Sequence, residues 1–535
     1  SVDSYAVINN SWGYSGRFNN LNDPANQTVA QALSDAVTLG RDGKGTVVVF
    51  AGGNDRDNGY DTNADNLTGS PDTIAVASVD TTGKVSAYST PGASILVAAP
   101  SDSYYPSASG KKTWYGDIVT TDRQGENGYN TAASPEGDYA YDFGGTSAAA
   151  PQVSGVVALM LEANPDLGYR DVQDILALTA RNTDTSGSWT INGATDWNGG
   201  GLHVSRDVGY GLVDATAAVR LAETWDGQST ASNLLTFSGE ATAGVTLADG
   251  TGSTSSTITV PAGLSVERAE VVLDLADADV SDLTAVLTSP SGTQSVLFDS
   301  PGLSAAFPAD FAMTSTHFLG ESSQGTWTLT VYDTDANGDS ASFGGWTLNL
   351  LGNAATADTR YVYTNEYSDY AATDASRRLL ADASGTDTIN PSPVTANAAI
   401  NLGDGTISVV DGTPLVIAPL TTIENAATGD GNDLLVGNAT ANDLTGGRGN
   451  DVLMGGWGNN VIDGGSGYDV AGFDRNFESY QIGQSGNAVT VSSLEGVTTL
   501  TNVEALSFAD RVVPTQDLLT TGATASGTAL LAGTA

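Results

Sequence analysis

The sequence predicts a multidomain chain of three architectures: an α/β domain on a parallel sheet, an all-β sandwich, and a parallel β-roll with β-rich flanks. Three observations predict it. Apolar strand runs alternate with helical stretches from 1 to about 225. Short period-2 strands with turn punctuation fill about 235–352. A nine-residue repeat rich in Gly, Asp and Asn runs through 428–472.

Composition bounds what these parts do. The 64 glycines and only 15% charged residues favour turn-rich β construction over long helices. No apolar run approaches the roughly 18 residues of a membrane span, and with no cysteine no disulfide contributes. Against 19 basic residues stand 62 acidic ones, a formal net charge of −43. Such a surface repels nucleic-acid phosphate and repels itself unless cations or salt screen it. Specific divalent-cation binding and a generally acidic surface for a saline medium both fit. The chain opens on Ser1 with no signal peptide, just before the apolar strand pattern "YAVINNSWG". It therefore reads as starting inside a domain.

In the first part, "TVVVFAGGN" (46–54) and "DTIAVASVD" (72–80) are β-branched, continuous and ended by turn residues, the pattern of buried parallel strands. "QTVAQALSDAVTLGRDG" (27–43) has helical periodicity and a glycine stop. "TSAAAPQVSGVVALMLEA" (146–163) predicts a buried helix, with Pro151 tolerated by lying in its first turn. Ser147 then sits at a helix amino end, where unpaired N–H groups favour developing negative charge. Asn54, closing a strand in "AGGN", is placed to add a side-chain donor.

The blocks "NNSWG", "AGGN" and "GTSAAAPQVSG", in that order, resemble the subtilisin superfamily. "IVTTD" (118–122), "LEANPDLGYRDVQDIL" (161–176) and "VGYGLVDATAAV" (208–219) resemble its kexin/furin-like branch. The resemblance implies Ser147 as nucleophile, Asn54 as oxyanion donor, and Asn10, Ser11, Trp12 and Gly13 as the edge along which substrate lies as an added strand. In that superfamily the triad runs Asp, His, Ser along the chain. The only histidines are His203 and His317, and neither precedes a Gly-Thr. The base and its Asp are therefore expected upstream of Ser1, and the chain as given is expected to be inactive alone. Furin-like enzymes select basic residues through acids lining the first substrate pocket. Asp65 falls at one such position, but the other is Gly16, so a single basic residue fits better than a pair. Asp55, Asp57 and Asp61 read either as a calcium site or as an acidic loop.

Residues 226–234 are polar and suit a linker. In "GTWTLTVYD" (325–333), Trp327, Leu329 and Val331 share a face, and Trp346, Leu348 and Leu350 repeat the pattern in "GGWTLNLLG". With "DLTAVLTSPSGT" (282–293), these strands resemble the P domain that follows kexin-like catalytic domains and braces them.

The repeats "TGDGNDLLV", "GNATANDLT", "GGRGNDVLM", "GGWGNNVID" and "GGSGYDVAG" resemble the RTX nonapeptide of calcium-binding β-rolls. Glycine permits the tight turn, and Asp offers the hard oxygen that suits Ca²⁺. The apolar positions are Leu435, Leu444, Leu453, Ile462 and Ala471. The sixth positions are Asp433, Asn442, Asp451, Asn460 and Asp469. Equivalent sites recur every two repeats, so the three aspartates are expected on one side as a calcium row and the asparagines opposite, as weaker sites. Residues 354–427 and the segment after the repeats (473–515) resemble the flanks of the roll in serralysin-type secreted proteases. From 354 onward there are six Arg and no Lys, so this region should order only where calcium is abundant. That behaviour fits export by a type I bacterial secretion machinery, with the tail 516–535 as part of its signal.

The expectation is a secreted, calcium-dependent serine endopeptidase acting on proteins or peptides. Its rival is an inactive calcium-binding surface or matrix protein that keeps a protease-like domain as a binding module.

Overall fold

The computed structural model describes residues 4–13, 18–106, 111–183, 189–261, 263–276, 280–299, 307–308, 310–334, 336, 341–485, 488–519 and 525–526. Gly16 and most of the tail 516–535 lie outside the described residues. The chain divides into two units, Ser1–Ala194 with Gly201–Ala355, and Thr195–Gly200 with Thr356–Ala535. Among the described residues no helix is long and apolar enough to cross a membrane.

The first unit begins with a parallel sheet of β1 (Val7–Asn10), β2 (Val47–Ala51), β3 (Thr73–Val79) and β4 (Ile95–Pro100), in that order. β2 and β3 are buried along their whole length. This explains why they read as unbroken apolar runs rather than as alternating ones. Helix α1 (Gln27–Leu39) links β1 to β2. Two hairpins follow β4: β5 (Ser103–Pro106) with β6 (Lys112–Tyr115), and β7 (Ile118–Thr121) with β8 (Tyr139–Phe143). Helix α2 (Thr146–Ala163) buries Ala148, Ala149, Val153, Val157 and Met160, and α3 (Tyr169–Thr179) comes next. β9 (Thr190–Ile191) pairs with β10 (His203–Val204), and α4 (Ala215–Glu223) closes this part.

One expectation is corrected. α2 starts at Thr146, after Gly145 at φ 78°, so Pro151 is its sixth residue and lies in the second turn. A proline there removes the hydrogen bond owed to the carbonyl four residues back, that of Ser147. The carbonyl is satisfied from outside the helix, by the Ser11 hydroxyl at 2.9 Å.

Among the described residues eight strands make the sandwich: β11 (Leu235–Thr246), β12 (Ser253–Val260), β13 (Leu264–Ala276), β14 (Leu283–Thr288), β15 (Gln294–Asp299), β16 (Ala312–Ser315), β17 (Gly325–Asp333) and β18 (Ser342–Ala354). They form two four-stranded antiparallel sheets, β11-β18-β13-β16 and β12-β17-β14-β15. Trp327, Leu329, Val331, Trp346, Leu348 and Leu350 lie in the core between them.

The sandwich is bonded to the α/β part through buried polar groups. Arg170 of α3 grips Glu267 of β13 bidentately, at 2.7 and 2.6 Å. It also donates to Thr230 O, which fixes the segment expected as a linker. Asn63 donates to the carbonyls of Leu297 and Thr314 at 2.8 and 3.0 Å. Removing one partner of a buried ion pair strands the other charge. Arg170→Met should therefore destabilise this unit by about 3 kcal/mol in thermal unfolding. A loss within experimental error would show the pair contributes nothing.

The second unit carries two nine-stranded sheets enclosing one apolar core. In one, Ala399–Asn401, Leu434–Val436, Val452–Met454, Val470–Gly472 and Ala505–Ser507 pair in parallel. In the other, Thr388–Asn390, Asn425–Ala427, Asp443–Thr445, Asn460–Asp463 and Gly496–Thr501 do the same. Leu435, Leu444, Leu453, Ile462 and Ala471 are each fully buried. The turns stack so closely that glycine is obligatory. A Cβ on Gly467, at φ 149°, would lie 1.5 Å from the Gly449 carbonyl oxygen.

Candidate active site

Ser147 is the second residue of α2, so no intrahelical carbonyl is available to its N–H. The turn leading to it is held from three sides. Gly145 N donates to Asp102 Oδ1 at 2.8 Å and to Tyr88 Oη at 3.0 Å, and Ser101 Oγ donates to Gly145 O at 2.8 Å. A Cβ on Gly144 would strike the Asp102 carboxylate at 2.2 Å, so the approach needs glycine.

Asn54 follows β2 and faces the same turn. Its Oδ1 accepts from Thr146 N and from Thr146 Oγ1, both at 2.9 Å. The Thr146 hydroxyl in turn accepts Gly53 N at 3.1 Å. With the oxygen so engaged, the side-chain amide nitrogen is the end left to serve as a donor.

A cavity of about 230 Å³ is lined by Ser11, Trp12, Gly13, Asn54, Asp65 and Ser147, among others. Of the residues that the sequence assigns to catalysis and substrate binding, all but Asn10 thus line one cavity. Asn10 is buried, donates to Val49 O at 3.3 Å, and accepts the Trp12 indole N–H at 3.1 Å. Its place is under the loop rather than on the cavity. Asp65 accepts Leu67 N at 2.8 Å. Asp61 also lines the cavity, where burial pushes its carboxyl up and Arg206 pairs with it.

The calcium alternative for Asp55, Asp57 and Asp61 is not what the side chains do. Asp57 binds Lys112 at 2.8 Å and the Tyr104 hydroxyl, and Asp61 is taken by Arg206. Among the described residues no three carboxylates or histidines gather as a metal cage.

Neither histidine lines the cavity. His203 Nε2 is 2.7 Å from Tyr210 O, and its ring stands edge-on to Trp189. His317 is buried with no hydrogen-bond partner for Nε2; burial, then Arg206, pulls its pKa down to about 4. Unfolded, it would titrate near 6.5, so the unfolded state binds the extra proton between those values. Stability from neutral His317 is therefore present above about 6.5 and lost as pH falls towards 4, by about 3 kcal/mol. His317→Gln should flatten that part of the acid unfolding curve of the first unit; an unchanged curve would contradict the assignment.

In the second unit the aspartates form a ladder. Ala398 N donates to Asp433 Oδ1 at 2.7 Å, Asp433 N to Asp451 Oδ1 at 2.7 Å, and Asp451 N to Asp469 Oδ1 at 2.8 Å. Asp469 N donates to Glu504 at 2.7 Å. The second oxygen of Asp433, Asp451 and Asp469 is buried with no hydrogen-bond partner. Burial pushes Asp433 up to about 6 and Asp451 to about 7, the latter helped by its two neighbours. On the other sheet Asn442 N donates to Asn460 Oδ1 at 3.0 Å, and each side-chain amide finds a carbonyl, Glu424 O or Gly456 O.

Sequence reasoning missed several residues. Asp102 and Tyr88 give no sequence signal, because they meet Gly145 only through the fold. Asp387 could have been found: "GTDTIN" has the spacing of "GNDVLM". It too is fully buried with one unpartnered oxygen, its pKa raised to about 6 by burial.

The first part of the chain is similar to the subtilase family. Residues 3–211 match the model of the subtilase family, 266–350 that of the proprotein convertase P-domain, and 352–510 that of the peptidase M10 serralysin C terminal. Neuroendocrine convertase 2 of Sus scrofa is 29% identical over 364 residues, covering 66% of this chain and 52% of that one. Furin-like protease 2 of Drosophila melanogaster is 31% identical over 343 residues, covering 62% and 19%. The chain thus spans about half the length of convertase 2. Part of the fold is shared with Aeromonas sobria serine protease, crystallised with a chaperone. The TM-score is 0.56 at 24% identity, covering 65% of this chain and 71% of that one.

Proposed function

We propose that the chain is the larger part of a secreted, calcium-dependent serine endopeptidase. The observation that carries this is the convergence of Ser147, Asn54 and the loop 11–13 on one cavity. Ser147 Oγ attacks the scissile carbonyl of a peptide laid along 11–13 and passes its proton to a histidine. The Ser147 N–H and the Asn54 amide hold the oxyanion. As the C–N bond breaks, the histidine returns that proton to the leaving amine, and water then releases the acyl group by the reverse sequence. Neither histidine of the chain lines the cavity, so the histidine and its aspartate are assigned to sequence preceding Ser1. Asp65 favours a basic side chain in the cavity.

Calcium fits the second unit. Asp433, Asp451 and Asp469 each bring a buried, unpartnered carboxylate oxygen, as does Asp387. Such oxygens, together with glycine-turn carbonyls, are the hard donors that calcium prefers. Bound calcium would neutralise the row and complete a parallel β-roll of RTX type. Ordering only outside the cell suits a type I secretion machinery as partner and an extracellular, bacterial location.

The test is fluorophosphonate labelling of the protein that includes the sequence preceding Ser1. Labelling that Ser147→Ala abolishes, together with peptide hydrolysis, is expected. Neither occurring in that folded protein would leave the inactive calcium-binding module as the reading, which the placing of both histidines outside the cavity lining also favours.

A further inference from the structure

Ser11 has a second role that its place beside the cavity does not reveal. In an α-helix the N–H of residue 151 would bond to the carbonyl of residue 147, and proline has no N–H to give. Backbone carbonyls inside a fold are rarely left bare. The Ser11 hydroxyl fills the gap, donating to Ser147 O at 2.9 Å from 136 residues away in sequence.

The hydroxyl is aimed. Asn9 Nδ2 donates to Ser11 Oγ at 3.1 Å, which leaves the hydroxyl proton to point at Ser147. Asn9 itself reaches α2: its Oδ1 lies 3.2 Å from Ser154 Oγ, whose proton it shares with Ala150 O at 3.1 Å. The next residue, Trp12, is anchored edge-on to Phe50 of β2, with ring centroids 5.6 Å apart. A return contact runs from Ser147 Oγ to Ser11 O at 3.5 Å. Loop and helix start are thus joined in both directions at the one residue proposed to attack.

We propose that Ser11 is a positioning residue whose hydroxyl replaces the helix hydrogen bond that Pro151 deletes, and so fixes the backbone of Ser147. The catalytic consequence rests on the protease reading above; the structural claim does not. A peptide held along 11–13 would bear on the same residue that holds the nucleophile, which links substrate register to Ser147.

The test is a double-mutant cycle of Ser11→Ala and Pro151→Ala in the chain beginning at Ser1. Ser11→Ala should lower the unfolding midpoint of the first unit by about 2–4 °C. In the Pro151→Ala background the same change should cost no more than about half of that, because the restored N–H takes over Ser147 O. The carbonyl ¹³C resonance of Ser147 should move in Ser11→Ala and return in Ser11→Thr. Equal losses in both backgrounds, or an unmoved resonance, would overturn the proposal whatever the activity. In the protein with its complete triad, Ser11→Ala should lower kcat about tenfold with KM within about twofold, and Ser11→Thr should restore it. A rise in KM alone would make Ser11 a mere substrate contact and overturn the positioning role. Absence of hydrolysis in the unsubstituted protein would count against the protease reading, with the cycle still deciding this one.

Discussion

Calcium added to chelated protein at pH 7 should raise the unfolding midpoint of the 356–535 unit sharply and increase its β circular dichroism. A ligand that binds only the folded state at a hundredfold excess over its Kd adds about 2.7 kcal/mol for one site, and three aspartates share the row. Without a cation the row works against itself. Asp433 and Asp451 are raised to about 6 and about 7, against about 3.9 in an unfolded chain. The folded state then holds the extra protons between those values. Their contribution to the stability of the chelated unit is fully present below about pH 4 and is lost as pH rises through 6 to 7. Calcium requires the carboxylates, so its stabilisation should fade as pH falls below 6. Asp451→Asn is the discriminating variant. The asparagine row of the same unit shows that an amide can accept the rung N–H and place its own donor on a carbonyl. Asp451→Asn should therefore fold in chelator at least as well as the parent and gain much less from calcium. No difference in midpoint between chelator and millimolar calcium would end the calcium reading.

The contrast between those two rows was legible in the sequence because the parallel strands pair at an 18-residue offset, and a periodic fold prints its period on the chain. The parallel sheet of the first unit was legible for a different reason. Strands buried on both faces are apolar almost throughout, as Val47–Ala51 is and as Thr73–Val79 is apart from Thr73 and Ser78. What stayed hidden was long-range and polar. Asp102 under Gly145, Arg170 against Glu267, and Ser11 on Ser147 are side chains whose partners lie 43, 97 and 136 residues away. Nothing local distinguishes such an Asp, Arg or Ser from a surface one. Pro151 falls a turn later than the apolar pattern implies for a related reason: the helix start is set by the left-handed Gly145 and its polar holds, not by the pattern that begins after it.

In the protein carrying a complete triad, Ser147→Ala should abolish turnover, by about 10⁶-fold, the scale on which a nucleophile is missed. Asn54→Leu should cost about 10²–10³-fold in kcat with KM nearly unchanged, since an oxyanion exists only beyond the ground state. Thr146 decides whether that figure comes from Asn54 as a positioned donor. Its N–H and hydroxyl both hold Asn54 Oδ1, which turns the nitrogen outward. Thr146→Val keeps the shape and the N–H but removes the hydroxyl, so one of two holds survives. The expected loss is about tenfold. Because Thr146 acts through Asn54, the double variant Asn54→Leu/Thr146→Val should be no slower than Asn54→Leu alone. Multiplying losses would mean that Thr146 serves the reaction by a route of its own, and that Asn54 does not need the orientation the structure gives it. Fluorophosphonate labelling rates would report the same ordering without a turnover assay, because the phosphonyl oxygen occupies the place of the oxyanion.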